Sequence, residues 1–150
     1  MSFQEPTDTE QGSAESAPHI LLVEDSVADI GLVREALQEH YVRCELTVIM
    51  NGELAVKFLD EIDAGQHPCP ALFIIDLNLP RKPGKVVLER VRASRTCEKI
   101  PVIVLTSSDS QKDRDDVANL SPSRYIRKPS RLKDFVQLGA LFRQILYPTS

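Results

Sequence analysis

The chain has 150 residues, 42% of them hydrophobic and 27% charged, with a formal net charge of −4. That length and balance fit one globular domain with a core of its own. Net acidity gives no support to attraction for nucleic acid or for an anionic membrane surface, and no apolar run approaches the roughly 20 residues of a membrane span.

Residues 1–17 carry four acids (Glu5, Asp8, Glu10, Glu15), no lysine or arginine, and one large apolar residue after Met1, namely Phe3. The segment is expected to be a disordered acidic tail, with the folded domain over 18–150. Removing it takes the acids from 22 to 18 against 18 bases, so the domain is formally neutral. No basic stretch followed by an apolar one opens the chain, so no secretory leader is expected. Cys44, Cys69 and Cys97 are an odd count without CxxC spacing. This suggests free thiols in a cytoplasmic protein rather than a disulfide framework. The three histidines are isolated and form no metal-ligand spacing.

From His19 onward, strand-like and helix-like patterns alternate. "ILLV" (20–23) reads as a buried strand. Val27, Ile30, Val33 and Leu37 recur at helical spacing within 27–40. "CELTVIM" (44–50) is strand-like. A helix is expected over 52–65, through Leu54, Ala55, Phe58, Leu59 and Ile62, with Gly65 as its stop. "GQHPCP" (65–70) is a loop, "ALFII" (71–75) a third strand and "KVVLERVRAS" (85–94) a helix. "PVIVL" (101–105) is a fourth strand, a polar helix lies within 109–119, and "RYIR" (124–127) is a short fifth strand. A single last helix is expected over 131–146. Five βα units with continuous apolar strands predict an α/β fold, a doubly wound parallel sheet buried on both faces. Ligands of such sheets sit beyond the carboxyl ends of the strands.

The residues just past those ends are therefore the candidates for chemistry. They are Glu24, Asp25 and Ser26 after the first strand, and Asp76, Leu77 and Asn78 after the third. Thr106, Ser107 and Ser108 follow the fourth, and Lys128, Pro129 and Ser130 the fifth. Each has a bland alternative: an acidic pair caps a helix, Asp76 closes a turn, Thr106 is an ordinary β-branched strand residue, and Lys-Pro is a loop. Four such coincidences at strand ends of one sheet argue for a site. Three carboxylates on one edge repel one another, and a hard divalent cation resolves the conflict. With a lysine and a hydroxyl beside them, the inventory suits phosphoryl transfer onto an aspartate.

"ILLVEDS", "FIIDLNLP" with Gly84 beyond it, "VIVLTSS" and "YIRKP" together resemble the receiver domain of two-component response regulators, the chemotaxis-type phosphoacceptor. The resemblance spans roughly 19–146. It implies a flavodoxin-like (βα)5 fold with strand order 2-1-3-4-5, and a phosphoryl group accepted by Asp76 from a sensor histidine kinase. It implies Mg²⁺ held by the side chains of Glu24, Asp25 and Asp76 and by the backbone carbonyl of Asn78. Thr106 and Lys128 would contact the acyl phosphate, and Tyr125 would be the aromatic switch that turns inward with Thr106. It also implies a signalling phosphoprotein, with at most slow self-dephosphorylation, rather than an enzyme. "VEDSVADIGLVREAL" and "DLNLPRKPGKVVL" are most similar to small stand-alone regulators paired with bacterial phytochromes. With only a short stretch after the fifth strand, no DNA-binding module is expected.

The chain departs from the common pattern in two places: Leu79 stands where methionine often precedes the proline, and "LSPSRY" (120–125) replaces a Gly-Ala turn. Arg81 and Lys82 add charge beside the site and read as solvated loop residues. Seven bases and two acids within 81–99 suggest a basic surface on the third helix, without the interleaved aromatics of a nucleic-acid site. The last helix carries two apolar stripes. Leu132, Phe135, Val136, Gly139, Phe142 and Leu146 should face the sheet. Leu138, Leu141 and Ile145 are left to pair two copies of the chain. Two rival functions are a phosphohydrolase of the haloacid-dehalogenase type and a receiver-like module that binds without phosphorylation. The first wants a second acid two residues after the nucleophile, where this chain has Asn78; the complete acceptor set argues against the second. A nucleotide-binding fold lacks its Gly-rich loop after the first strand.

Overall fold

A computed structural model describes residues 17–149, so the acidic tail expected over 1–17 lies almost wholly outside the described residues. The elements in chain order are β1 (His19–Val23), α1 (Val27–Glu39), β2 (Glu45–Ile49), α2 (Gly52–Asp63), β3 (Leu72–Ile75), α3 (Gly84–Arg92), β4 (Val102–Thr106), α4 (Gln111–Ala118), β5 (Arg124–Arg127), α5 (Leu132–Val136) and α6 (Leu138–Leu146). The five strands form one parallel sheet in the order β2-β1-β3-β4-β5. This is the flavodoxin-like order 2-1-3-4-5.

Burial follows position in the sheet. All of β3 and β4 and all but the first residue of β1 are buried, because each has a strand on both sides and helices on both faces. The edge strands β2 and β5 are only half-buried. Along β1, Leu21 and Val23 point into the layer with α2 and α3, whereas Ile20 and Leu22 point into the layer with α1, α5 and α6. The period of two thus divides one continuous apolar strand between two cores.

Several sequence expectations need correcting. Val27 and Leu54, which share the helical spacing of their apolar neighbours, are 75% and 50% exposed. Each lies in the first turn of its helix, where the face that meets the sheet has only begun. Leu132 is also exposed; it opens α5 among Ser130, Arg131, Lys133 and Asp134, all exposed. The last helix is interrupted at Gln137. Beyond the break, Gly139 sits so close to α1 that a Cβ there would lie 2.2 Å from the carbonyl oxygen of Ala36. Only glycine permits that approach. Leu138, Leu141 and Ile145 are half-buried and pack against the α1 side of the core.

The cysteines are not all free. Cys69 and Cys97 are joined, their Cα atoms 5.8 Å apart, while Cys44 is a half-buried free thiol. Local spacing could not show this. The two residues lie in the loops that lead into β3 and β4, and those strands are parallel neighbours, so the loops start from the same edge of the sheet. The basic tract is likewise less of a surface than its composition suggests. Arg90 is turned inward onto Asp60 and Asp63, 3.0 and 2.7 Å away. Arg92 donates to the carbonyls of Glu98, Ile100, Leu120 and Ser121, and so holds the turn before β5. Ser121 adopts a left-handed backbone (φ 52°) in that turn, just before "PSRY".

Candidate functional site

The ladder bonds that end the strands also place the site. Glu24 donates its backbone N–H to Ile49 (3.0 Å), Asp76 to Val23 (3.1 Å) and Lys128 to Thr106 (2.7 Å). Each residue is therefore fixed one step beyond its strand on the carboxyl edge. Glu24, Asp76 and Thr106 are buried there, an unusual fate for acids.

Carboxylate oxygens of Glu24, Asp25 and Asp76 all lie within 4.8 Å of one another. Asp25 is exposed, which leaves the group open to solvent on one side. Asp76 Oδ1 accepts the backbone N–H of Asn78 at 3.0 Å, a turn that folds the chain back over the strand end. The return is tight: Gly84 donates to Leu77 O at 2.9 Å, and a Cβ on Gly84 would sit 2.1 Å from Asp76 O. The glycine that completes "DLNLPRKPG" is thus needed for the backbone to close behind the aspartate.

Lys128 crosses the edge from β5 and its side chain is only 8% exposed. Its ammonium donates to Glu24 Oε1 at 2.8 Å, Asp29 Oδ2 at 2.7 Å and Asp76 Oδ2 at 2.9 Å. An ammonium has three protons, and all three have a carboxylate partner. Burial opposes the charge of Lys128, but the bonds from Asp29, Glu24 and Asp76 outweigh it and hold its pKa above the ordinary lysine value. Burial pushes Glu24 the other way, up to about 7; the bond from Lys128 opposes that shift and the charge of Asp76 adds to it. One lysine facing four acids leaves a surplus of negative charge. Oxygen ligands alone, on a half-open edge, suit a hard divalent cation.

Thr106 Oγ1 lies at the limit of hydrogen bonding from Asn78 Nδ2 (3.5 Å) and Ser108 N (3.4 Å). Ser108 links outward: its hydroxyl donates to the Asp113 carboxylate at the start of α4, and its carbonyl accepts the Tyr125 hydroxyl at 3.2 Å. Arg114 covers the Tyr125 ring, 4.4 Å from its centroid. Arg81, also in a left-handed conformation (φ 75°), is exposed and 3.8 Å from Glu53.

The structure therefore brings Glu24, Asp25, Asp76, Asn78, Thr106 and Lys128 to one edge, with Tyr125 reaching it through Ser108. Sequence reasoning missed Asp29. It reads as a residue in the first turn of α1, its N–H capped by Ser26 Oγ at 3.2 Å. The available signal was positional: a helix entered directly from a strand end keeps its first turn beside that end.

The sheet order and the acidic carboxyl edge agree with a family match: the model of the response regulator receiver domain matches residues 20–138. The chain belongs to that family. It is 38% identical to response regulator Rcp1 of Synechocystis over 120 residues, covering 79% of this chain and 82% of that protein. Among solved structures, the phosphorylated cyanobacterial phytochrome response regulator RcpA superposes with a TM-score of 0.80 at 32% identity, over 90% of this chain and 97% of that one. The Mn²⁺-bound form of Rcp1 gives 0.79 at 34% identity, over 89% and 97%. Among the described residues, no helix is long and apolar enough to cross a membrane.

Proposed function

We propose that this receiver domain accepts a phosphoryl group on Asp76 from a sensor histidine kinase and signals through the resulting change of shape. The observation that carries this reading is the buried Asp76 carboxylate with the Lys128 ammonium 2.9 Å from one oxygen and two further acids beside it. A carboxylate oxygen of Asp76 attacks phosphorus, the bond from phosphorus to the donor's histidine nitrogen breaks, and the electron pair stays on the imidazole. Lys128 balances the charge that gathers on the phosphoryl oxygens. Thr106 offers a hydroxyl to one of those oxygens, and Tyr125 follows it by giving up its bond to Ser108. Glu24, Asp25, Asp76 and the Asn78 carbonyl would hold Mg²⁺, which would supply positive charge against the negative charge of the phosphoryl oxygens. The output is a shift between existing arrangements of α4, β5 and α5.

Asp76→Asn is expected to abolish uptake from acetyl phosphate in the presence of Mg²⁺; persistent labelling in that variant would move the acceptor elsewhere. Turnover of a generic phosphomonoester by the wild type would favour the hydrolase reading instead. The phytochrome pairing of the similar regulators makes a phytochrome kinase the first donor to try. Two copies are expected to pair through the half-buried Leu138, Leu141 and Ile145. Leu138→Glu with Leu141→Glu should then shift size-exclusion elution from dimer to monomer, and an unchanged volume sinks that surface.

A further inference from the structure

We infer that Asp29 is a positioning residue for Lys128: it anchors the ammonium at Asp76 while standing outside the acidic trio, so that Glu24 is left able to turn to a metal. This inference rests on the phosphoacceptor reading above. Of the three carboxylates on Lys128, two have a second task. Glu24 and Asp76 belong to the group of acids that lie within 4.8 Å of one another, and Asp29 does not. Asp29 also makes the shortest of the three contacts, 2.7 Å against 2.8 and 2.9 Å. Its backbone is fixed, because Ser26 caps its N–H and Ser26 in turn donates its own N–H to Glu24 Oε2 at 3.1 Å. The first turn of α1 therefore carries a carboxylate that holds the lysine without sharing the cation.

The consequence concerns what happens when a ligand arrives. If Glu24 turns toward a cation and Asp76 toward phosphorus, Lys128 keeps one strong partner and stays at the acceptor. A flexible four-carbon side chain with a single charge is poorly oriented unless something holds it. Without Asp29, the ammonium is shared between Glu24 and Asp76 alone. It then competes with the metal for both and must be pulled from them to meet the phosphoryl group.

The test uses the full chain and two probes, Mg²⁺ alone and beryllofluoride with Mg²⁺, an unreactive stand-in for the phosphoryl group; binding of each is followed by calorimetry. Asp29→Asn should weaken beryllofluoride binding about 5- to 10-fold, the scale of one lost charge-assisted bond in a part-open site. It should weaken Mg²⁺ in the same direction. Asp29→Glu, which retains the carboxylate, should recover at least part of both. On a Lys128→Met background, Asp29→Asn should cause no further loss of beryllofluoride binding. Urea denaturation checks that the variants fold, and a purely structural Asp29 would alter the urea midpoint but neither affinity. Wild-type affinities in Asp29→Asn, or an equal loss with and without Lys128, overturn the inference while leaving the acceptor assignment intact. Failure of the wild type to bind beryllofluoride, or retention of binding by Asp76→Asn, overturns the acceptor assignment and this inference with it.

Discussion

Two clusters of charge lie toward opposite edges of the sheet and are balanced in opposite senses. At the ends of α2 and α3, the Asp63 carboxylate receives Arg90 at 2.7 Å, the Ser94 hydroxyl at 2.6 Å and the Thr96 hydroxyl at 2.8 Å. Ser94 in turn receives the backbone N–H of Cys97 at 3.0 Å, which ties the cluster into the loop. Donors converge on one acid, whose pKa is held well below the usual carboxylate range by Ser94 first and Arg90 next. At the carboxyl edge the ratio is reversed: one ammonium faces Glu24, Asp29 and Asp76, with Asp25 alongside. The first cluster is complete and calls for nothing further. The second holds like charges together, and that repulsion is relieved by adding a cation or a proton. The difference between the two clusters is the count of donors against acceptors.

The largest effect is expected at Lys128. Lys128→Met should cut phosphoryl uptake by about 100-fold or more. It should also destabilise the metal-free protein by roughly 2–4 kcal/mol, since buried Glu24 and Asp76 lose their counter-charge. Mg²⁺ should restore part of the urea midpoint; uptake at the wild-type rate would remove the lysine from the reaction.

Asp63→Asn should do the reverse, lowering the urea midpoint while leaving uptake from acetyl phosphate unchanged. The two clusters also differ in sign with pH. Asp63 has a lowered folded pKa, so its contribution is present above its unfolded value near 4 and is lost as pH falls below it. Glu24 has a raised folded pKa, so its contribution is full below its unfolded value near 4 and is lost as pH rises through about 7. Urea midpoints measured across that range should fall at both ends in metal-free protein, and Mg²⁺ should flatten only the neutral limb. A neutral limb insensitive to Mg²⁺ would disconnect Glu24 from the cation.

The smallest effect is expected at exposed Asp25. Asp25→Asn should stabilise metal-free protein by less than about 1 kcal/mol, because it removes one of the mutually repelling charges from a solvated position. Mg²⁺ binding should nevertheless weaken. A destabilised variant would show that Asp25 has a structural partner of its own.

The sheet was legible because its three central strands are apolar runs bounded by turn residues, and the strand ends then pointed to the acids, Thr106 and Lys128. What the one-dimensional pattern concealed were contacts between residues far apart in the chain. Asp29 meets Lys128 across 99 positions, and nothing in the helical period of α1 marks it. The approach of Gly139 to Ala36 is likewise a contact between helices distant in the chain. Arg90 and Arg92 read as surface charge because a count of bases ignores the carboxylates and carbonyls that fill their guanidinium groups. Leu132 and Val27 fitted the apolar period but occupy helix starts, where period alone does not decide burial.

The bridge between Cys69 and Cys97 has a topological result. It joins positions 28 apart in sequence, and the ring so closed contains β3, Asp76, the loop with exposed Arg81, and α3. In the chain-entropy picture a ring of that size restricts the unfolded ensemble by roughly 3–4 kcal/mol. Cleavage after Arg81 would leave two fragments still covalently linked, with Asp76 on one and α3 on the other. They would migrate together on a gel until a thiol reductant separated them.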